Sequence, residues 1–218
     1  MPNWTRNLKD LLNLFLETNC ALCQRPTSQE FCLDCTRQLQ RCQLSHPSLW
    51  QGQLLVFAWG NYGATLKRAI AALKYENKPQ VARPLGHWLG EAWLKSNTSK
   101  SLIVVPIPLH KEKLKQRGYN QAALLAESFC EITNLNLQHQ GLERIRATEA
   151  QFNLSAGERE KNLAMAFKLG SGFRGDRPTK PVLLLDDIYT TGATAKSAAQ
   201  TLRQAGIRVY GVVALAKA

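Results

Sequence analysis

The sequence predicts an α/β domain built on a largely parallel sheet flanked by helices, with a small cysteine-rich module ahead of it. Three observations predict this. From Leu54 onward, short apolar runs of strand type alternate with stretches of helical periodicity. Connections of helix length between successive strands are those that parallel pairing requires. Ahead of the first such strand, four of the six cysteines fall in two close pairs, Cys20/Cys23 and Cys32/Cys35.

The elements follow in order. Leu8, Leu11, Leu12, Phe15 and Leu16 recur at helical spacing, which predicts an amphipathic helix over residues 5–17. The cysteine pairs come next. A polar link through Ser45, Pro47 and Gly52 then divides a metal module, residues 1–50, from the main domain, residues 51–218. Leu54 to Trp59 suits a strand, and Tyr62, Leu66, Ile70 and Leu73 mark the helix after it. A second helix runs from about Val81 to Leu94, with Leu85, Trp88, Leu89 and Trp93 on one face. Trp50, Trp59, Trp88 and Trp93 read as core residues rather than base-stacking platforms. Leu102 to Val105 is a strand stopped by Pro106 and Pro108. Gln121 to Ile132 is helical, and residues 144 to 166 form a long, mixed polar loop. Val182 to Leu185 is a buried strand, Ala193 to Ala205 a helix stopped at Gly206, and Val209 to Leu215 the last strand.

With 218 residues, 44% hydrophobic and 20% charged, the composition is that of a globular protein. No stretch approaches the roughly 20 apolar residues that span a bilayer. Arg6, Lys9 and Asp10 interrupt the N-terminal stretch, so it does not resemble a secretory signal, and a cytoplasmic protein without membrane insertion is expected. The formal net charge of +12 favours phosphate-bearing partners: nucleic acid, nucleotides or sugar phosphates.

Cys20-x-x-Cys23, eight intervening residues and Cys32-x-x-Cys35 supply four thiolates with the spacing of a tetrahedral Zn²⁺ site. Four protein ligands leave no open position, so the zinc is structural, and in so small a module it supplies much of the folding energy. Cys42 and Cys130 stand apart as ordinary residues, although Cys42 is near enough to be a spare ligand.

The run Val182-Leu-Leu-Leu-Asp-Asp-Ile-Tyr-Thr-Thr-Gly-Ala-Thr194 reads as a strand, a polar loop and a helix start. A loop of that kind sits at the carboxyl edge of a parallel sheet, where open α/β folds bind ligands. Backbone N–H groups and the helix dipole can hold a phosphate there, with Gly192 allowing close approach and Thr190, Thr191 and Thr194 adding hydroxyls around Ala193. Asp186 and Asp187 make sense facing sugar hydroxyls, or a Mg²⁺ ion shared with the phosphates. Phosphate at one end and diol at the other describe a ribose 5-phosphate.

This segment resembles the phosphoribosyl-pyrophosphate motif of type I phosphoribosyltransferases. Val105-Pro-Ile-Pro-Leu-His110, Arg117-Gly-Tyr-Asn120, Arg144-x-Arg146-x-Thr148-x-x-Gln151 and Arg159-x-x-Asn162 extend the resemblance to the ComF/ComFC family, from about Cys20 to Ala216. Departures are mild, at Tyr119 and Tyr189. The resemblance implies a phosphoribosyltransferase-like domain behind an N-terminal zinc module, and a link to natural competence, the uptake of single-stranded DNA. It also implies Mg²⁺ bound with phosphoribosyl pyrophosphate and other competence proteins as partners.

By the same resemblance, the phosphoribosyl pyrophosphate is held by Asp186, Asp187, Thr190, Thr191, Gly192, Ala193 and Thr194. The loop carrying His110, Lys111, Arg117 and Asn120 matches the pyrophosphate position, where cations stabilise the charge of a departing diphosphate. Lys113 and Lys115 fit a solvated helix start better. Residues 144 to 166 correspond to a closing loop, with Arg144, Arg146 and Arg159 as phosphate clamps; the same charged loop suits a nucleic-acid contact equally well. Two functions stay open: a phosphoribosyltransferase of unknown acceptor, and a non-catalytic ligand sensor or DNA-binding protein on the same fold.

Overall fold

A computed structural model describes residues 18–51, 54–96, 101–146, 166–175 and 177–218. The helix expected over 5–17 and the stretch containing Thr148, Gln151, Arg159 and Asn162 lie outside the described residues.

Two-residue strands β1 (Thr18–Asn19) and β2 (Pro26–Thr27) pair antiparallel and are followed by helix α1 (Leu33–Gln40). Strand β3 (Ser48–Gln51) lies antiparallel to β4 (Leu54–Asn61), so the segment expected to be a plain link carries an edge strand. Its few residues are too short a run for a periodic signal, and pairing with β4 organises them. Next come α2 (Ala64–Tyr75), α3 (Ala82–Lys95), β5 (Ile103–Pro106), α4 (Lys111–Arg117), α5 (Gln121–Thr133) and β6 (Asn136–Leu137). A hairpin of β7 (Leu142–Arg144) and β8 (Phe167–Leu169) marks the two ends of the segment expected as loop. The chain closes with β9 (Val182–Tyr189), α6 (Ala193–Gln204) and β10 (Val209–Lys217).

The main sheet has the order β3-β4-β10-β9-β5-β6, and every neighbouring pair except β3–β4 is parallel. Its central strands are buried on both faces, the usual state of parallel strands between helix layers. Residues alternate between the two sides. Leu183, Leu185, Val213 and Leu215 join a core with α2, α3 and α5, while Leu184, Val212 and Ala214 join a second core with α6 and the β7–β8 hairpin. Among the described residues, no helix is long and apolar enough to cross a membrane.

Aromatic rings tie the cysteine module to this body. Phe31 stacks on Trp88 of α3 with centroids 6.1 Å apart, and Trp88 stacks on Trp59 of β4 at 5.8 Å. Trp93 packs edge-on against Phe57 and Phe129. Trp59 and Trp93 are buried, as the core reading of the tryptophans expects.

Helices α3 and α5 approach closely because α3 presents glycine at its contact. A Cβ at Gly86 would lie 2.5 Å from Ser128 Cβ and 2.8 Å from the Leu125 carbonyl oxygen. Gly86→Ala is expected to destabilise the protein by about 2 kcal/mol, despite alanine's better helix propensity, because backbone blocks the added methyl. Gly175→Ala, an exposed position outside the helices whose Cβ meets nothing within 4 Å, is the control and should change little. Urea unfolding of the two variants checks this.

Candidate functional site

The site lies where the sheet's connections reverse. From β5 the chain runs through α5 to β6 on one side, and from β9 it runs through α6 to β10 on the other. Helices α5 and α6 cover opposite faces. The carboxyl ends of β5 and β9 therefore open a crevice at a topological switch point, the usual ligand position in such sheets. The two strands stay in register to Pro106↔Leu185, and Ile107 N–H donates to the Leu185 carbonyl at 2.8 Å.

Strand β9 runs further than its apolar stretch indicates. Pairing with β10 continues through Ala214↔Asp186 and Lys217↔Tyr189, so both aspartates belong to the strand rather than to the loop. Ladder hydrogen bonds hold them there, although the residue types resemble a turn. The loop itself is only Thr190, Thr191 and Gly192, after which α6 begins at Ala193. Gly192 has φ +76°, and a Cβ there would lie 2.1 Å from the Tyr189 hydroxyl oxygen. Glycine is thus required both by conformation and by the buried tyrosine beneath the turn. Thr191 Oγ1 accepts from Ala193 N–H at 3.4 Å, and the first intrahelical bond runs from Lys196 N–H to the Gly192 carbonyl. Amides of the first turn, including that of Thr194, have no carbonyl of their own helix to bond and can meet an anion.

Neighbouring residues of a strand leave on alternate sides, so the two carboxylates have different company. Asp187 is 3% exposed. Its Oδ1 accepts from Gln121 Nε2 at 3.1 Å, and its Oδ2 is ion-paired with Lys74. Asp186 is half-buried, and its Oδ1 accepts from Asp187 N–H at 2.8 Å. Burial, and then the neighbouring Asp187 charge, push the Asp186 carboxyl well above the usual carboxylate range, with Lys74 opposing. Arg144, at the end of β7, extends over the Phe167 ring with Cζ 5.6 Å from its centroid. Burial lowers the Arg144 value, and the attraction of Asp186 partly restores it.

The other expected cations divide. The Arg117 guanidinium donates to Gln121 Oε1 and lies 5.7 Å from the centre of the Tyr75 ring, so it joins the Asp187 cluster. Asn120 caps α5 by accepting from Ala122 N–H at 3.1 Å, and its Nδ2 donates to the Ile107 carbonyl at 3.0 Å. It holds the turn after β5. His110 precedes the first residue of α4 and makes no side-chain capping bond; its buried Nδ1 lies 3.7 Å from Glu112. Lys111 is exposed and faces Glu143 at 3.9 Å. Glu143 also meets Lys168 at 3.0 Å and Arg174 at 3.6 Å, and the Lys168 bond holds its carboxyl below the ordinary value. Arg146 is exposed, and its carbonyl accepts from Arg144 Nε at 3.3 Å.

Lys74 and Gln121 escaped the sequence reading. Both sit on amphipathic helices, where a lysine or glutamine resembles any solvated polar position. Only the tertiary approach of α2 and α5 to β9 reveals them.

The sulfur atoms of Cys20, Cys23, Cys32 and Cys35 all lie within 4.8 Å of one another, and this cluster could hold a metal ion. A tetrahedral ion with bonds near 2.3 Å needs sulfurs about 3.8 Å apart, so the spacing fits zinc. Burial pushes the Cys20 thiol up, but N–H groups of Cys32, Leu22 and Cys23 outweigh it and bring it down to about 6. Cys42 is outside the cluster, its Sγ donating to the Gln38 carbonyl at 3.5 Å. Burial pushes Cys130 up to about 12, that of an inert thiol.

No family model matches the chain. Comparison with curated proteins finds competence protein F of Haemophilus influenzae, 31% identical over 223 residues that span 94% of each chain. The chain belongs to the ComF/ComFC family. Its ComF relatives include competence protein ComFC of Bacillus subtilis, 27% identical over 86% of this chain and 72% of that one. DNA utilization protein YhgH of Escherichia coli is 29% identical over 92% and 85%. Similar solved structures include a Staphylococcus aureus hypoxanthine phosphoribosyltransferase (TM-score 0.38, 19% identity, 65% of this chain and 64% of that one) and a Leishmania donovani adenine phosphoribosyltransferase (0.41, 10%, 84% and 79%).

The raised Asp186 carboxyl carries a stability consequence. Its folded-state pKa lies above the unfolded value, so the ionised form favours unfolding, and stability is lost as pH rises through the folded-state pKa. Asp186→Asn should therefore melt higher than wild type at neutral pH, with the difference vanishing in acid below the ordinary aspartate pKa. Thermal unfolding across pH tests this, and an Asp186→Asn protein that melts lower at neutral pH would contradict it.

Proposed function

We propose that this ComF-family protein binds phosphoribosyl pyrophosphate with Mg²⁺ at the β5–β9 crevice and acts in natural competence, in the handling of incoming single-stranded DNA. One observation carries the reading: a helix N-terminus, a carboxylate disfavoured in its ionised form and several cations converge at a single switch point. The α6 amides with Thr190, Thr191 and Thr194 suit the 5-phosphate. Asp186 suits the ribose hydroxyls or Mg²⁺, because either would stabilise a carboxylate that burial leaves poorly solvated. Mg²⁺ bound with the diphosphate would offset part of its charge. Arg144, attracted by Asp186, and Arg117, joined to Asp187 through Gln121, suit the anionic ends of the ligand.

The competence role rests on the names of the relatives, competence protein F, ComFC and a DNA utilization protein, and on the +12 charge, which favours a polyanion. At the cysteine cluster we assign a structural zinc, since all four positions around the ion are taken by thiolates. The proposal is one of binding; a phosphoribosyl transfer would further require an acceptor.

Titration calorimetry with phosphoribosyl pyrophosphate, with and without Mg²⁺, tests the pocket. Saturable binding that needs Mg²⁺ and weakens at least tenfold in Asp186→Asn is expected. No heat from a folded, zinc-loaded wild type would remove the pocket from the account and leave DNA binding as its function.

A further inference from the structure

Asp187, although part of the acidic pair, is buried, and each of its oxygens already has a protein partner. Gln121 occupies Oδ1 and Lys74 is the partner of Oδ2, which has no other. The Asp187 side chain is 5% exposed and that of Lys74 17%, so the lysine is the more accessible partner of the pair. An ammonium has three N–H donors, and one carboxylate oxygen does not use them all.

The chain on either side of the lysine is also tied down. Tyr119 Oη donates to the Leu73 carbonyl at 2.6 Å, joining the last turn of α2 to the turn between α4 and α5. Arg117 lies over Tyr75 and bonds Gln121, which returns to Asp187. Residues 73–75 are thus tied to 117–121, and Gln121 to Asp187, which fixes the segment that carries Lys74 near the carboxyl end of β9. Organisation of this kind is what an anion site needs, because a cation fixed before binding loses little freedom on meeting its ligand.

We propose that Lys74 is an anion-binding residue of the crevice, directed at the diphosphate end of the ligand, and that Asp187 is a positioning residue that holds it. Contact with ribose hydroxyls or Mg²⁺ then falls to Asp186. This rests on the phosphoribosyl reading above and divides its acidic pair into two tasks. A diphosphate arriving beside Lys74 takes the donors that Asp187 leaves unused, so the ion pair need not break. Asp187 in turn holds the ammonium in place by charge attraction.

The test uses the full-length, zinc-loaded protein and three probes: Mg²⁺ with phosphoribosyl pyrophosphate, Mg²⁺ with inorganic pyrophosphate, and ribose 5-phosphate. Lys74→Met should lose roughly tenfold or more in affinity for the first two and keep its affinity for ribose 5-phosphate, with Lys74→Arg recovering part of the loss. If Lys74→Met fails to fold, Lys74→Met/Asp187→Asn removes both charges together and must show the same selective loss. Unchanged pyrophosphate binding in a folded variant would overturn the assignment. Loss of ribose 5-phosphate binding in the double variant, with Lys74→Met alone retaining it, would make Asp187 a sugar ligand and also overturn it. A wild type that binds none of the three probes fails the phosphoribosyl reading itself, and this inference with it.

Discussion

The buried pairing of Lys74 with Asp187, completed by Gln121, is the constraint around which the crevice is arranged. Strand β9 places a carboxylate at the sheet's edge with almost no access to water. A charge in that position is tolerable only with partners, because desolvation costs several kcal/mol per ion. Helices α2 and α5 provide them from one side. Each must end or begin at the level of Asp187 for its polar residue to reach, so the register of both helices against the sheet is tied to one carboxylate. Asp186, one residue earlier, receives less. Burial and the neighbouring charge leave its carboxyl raised, a state common at functional sites.

Helix α2 connects this cluster with the cysteine module. Near its start, Thr65 donates to Gln38 Oε1 at 3.1 Å and Arg68 donates to the Leu22 carbonyl at 2.6 Å. Just past its end, Lys78 donates to the Ala21 carbonyl at 2.9 Å. The same helix carries Lys74 to the crevice. Together with the Phe31–Trp88–Trp59 stack, these bonds make the cysteine module one wall of the main core rather than an appendage. Cys20, Phe31, Cys35 and Leu39 are buried in the same cluster as Phe57 and Leu185.

Much of this was legible in the sequence, for physical reasons. Strands buried on both faces appear as unbroken apolar runs, so β4, β5, β9 and β10 were visible, and helices with one buried stripe showed their period. Thr190 to Thr194 announced the turn into α6 because a helix start with glycine and hydroxyls has a local signature. The pairwise spacing of the cysteines did the same for the metal cluster. What stayed hidden was non-local. Strand β3 exists because β4 offers it an edge, and the extension of β9 through Asp186 and Asp187 depends on β10. Asn120 also caps α5 and holds the turn after β5, a role the sequence does not announce because a helix cap and an anion contact draw on the same residue types. Lys74 and Gln121 had no signature because their significance comes from the helix packing that brings them to Asp187.

A double-mutant cycle on Lys74→Met and Asp187→Asn, read by urea unfolding, tests the central role of this pair most directly. Each single variant strands a buried group and should cost about 3 kcal/mol, while the double should cost little more than either, giving a coupling of about 2 kcal/mol or more. Single effects that simply add, to within about 0.5 kcal/mol, would show that the two residues do not depend on each other and that the crevice is organised by something else.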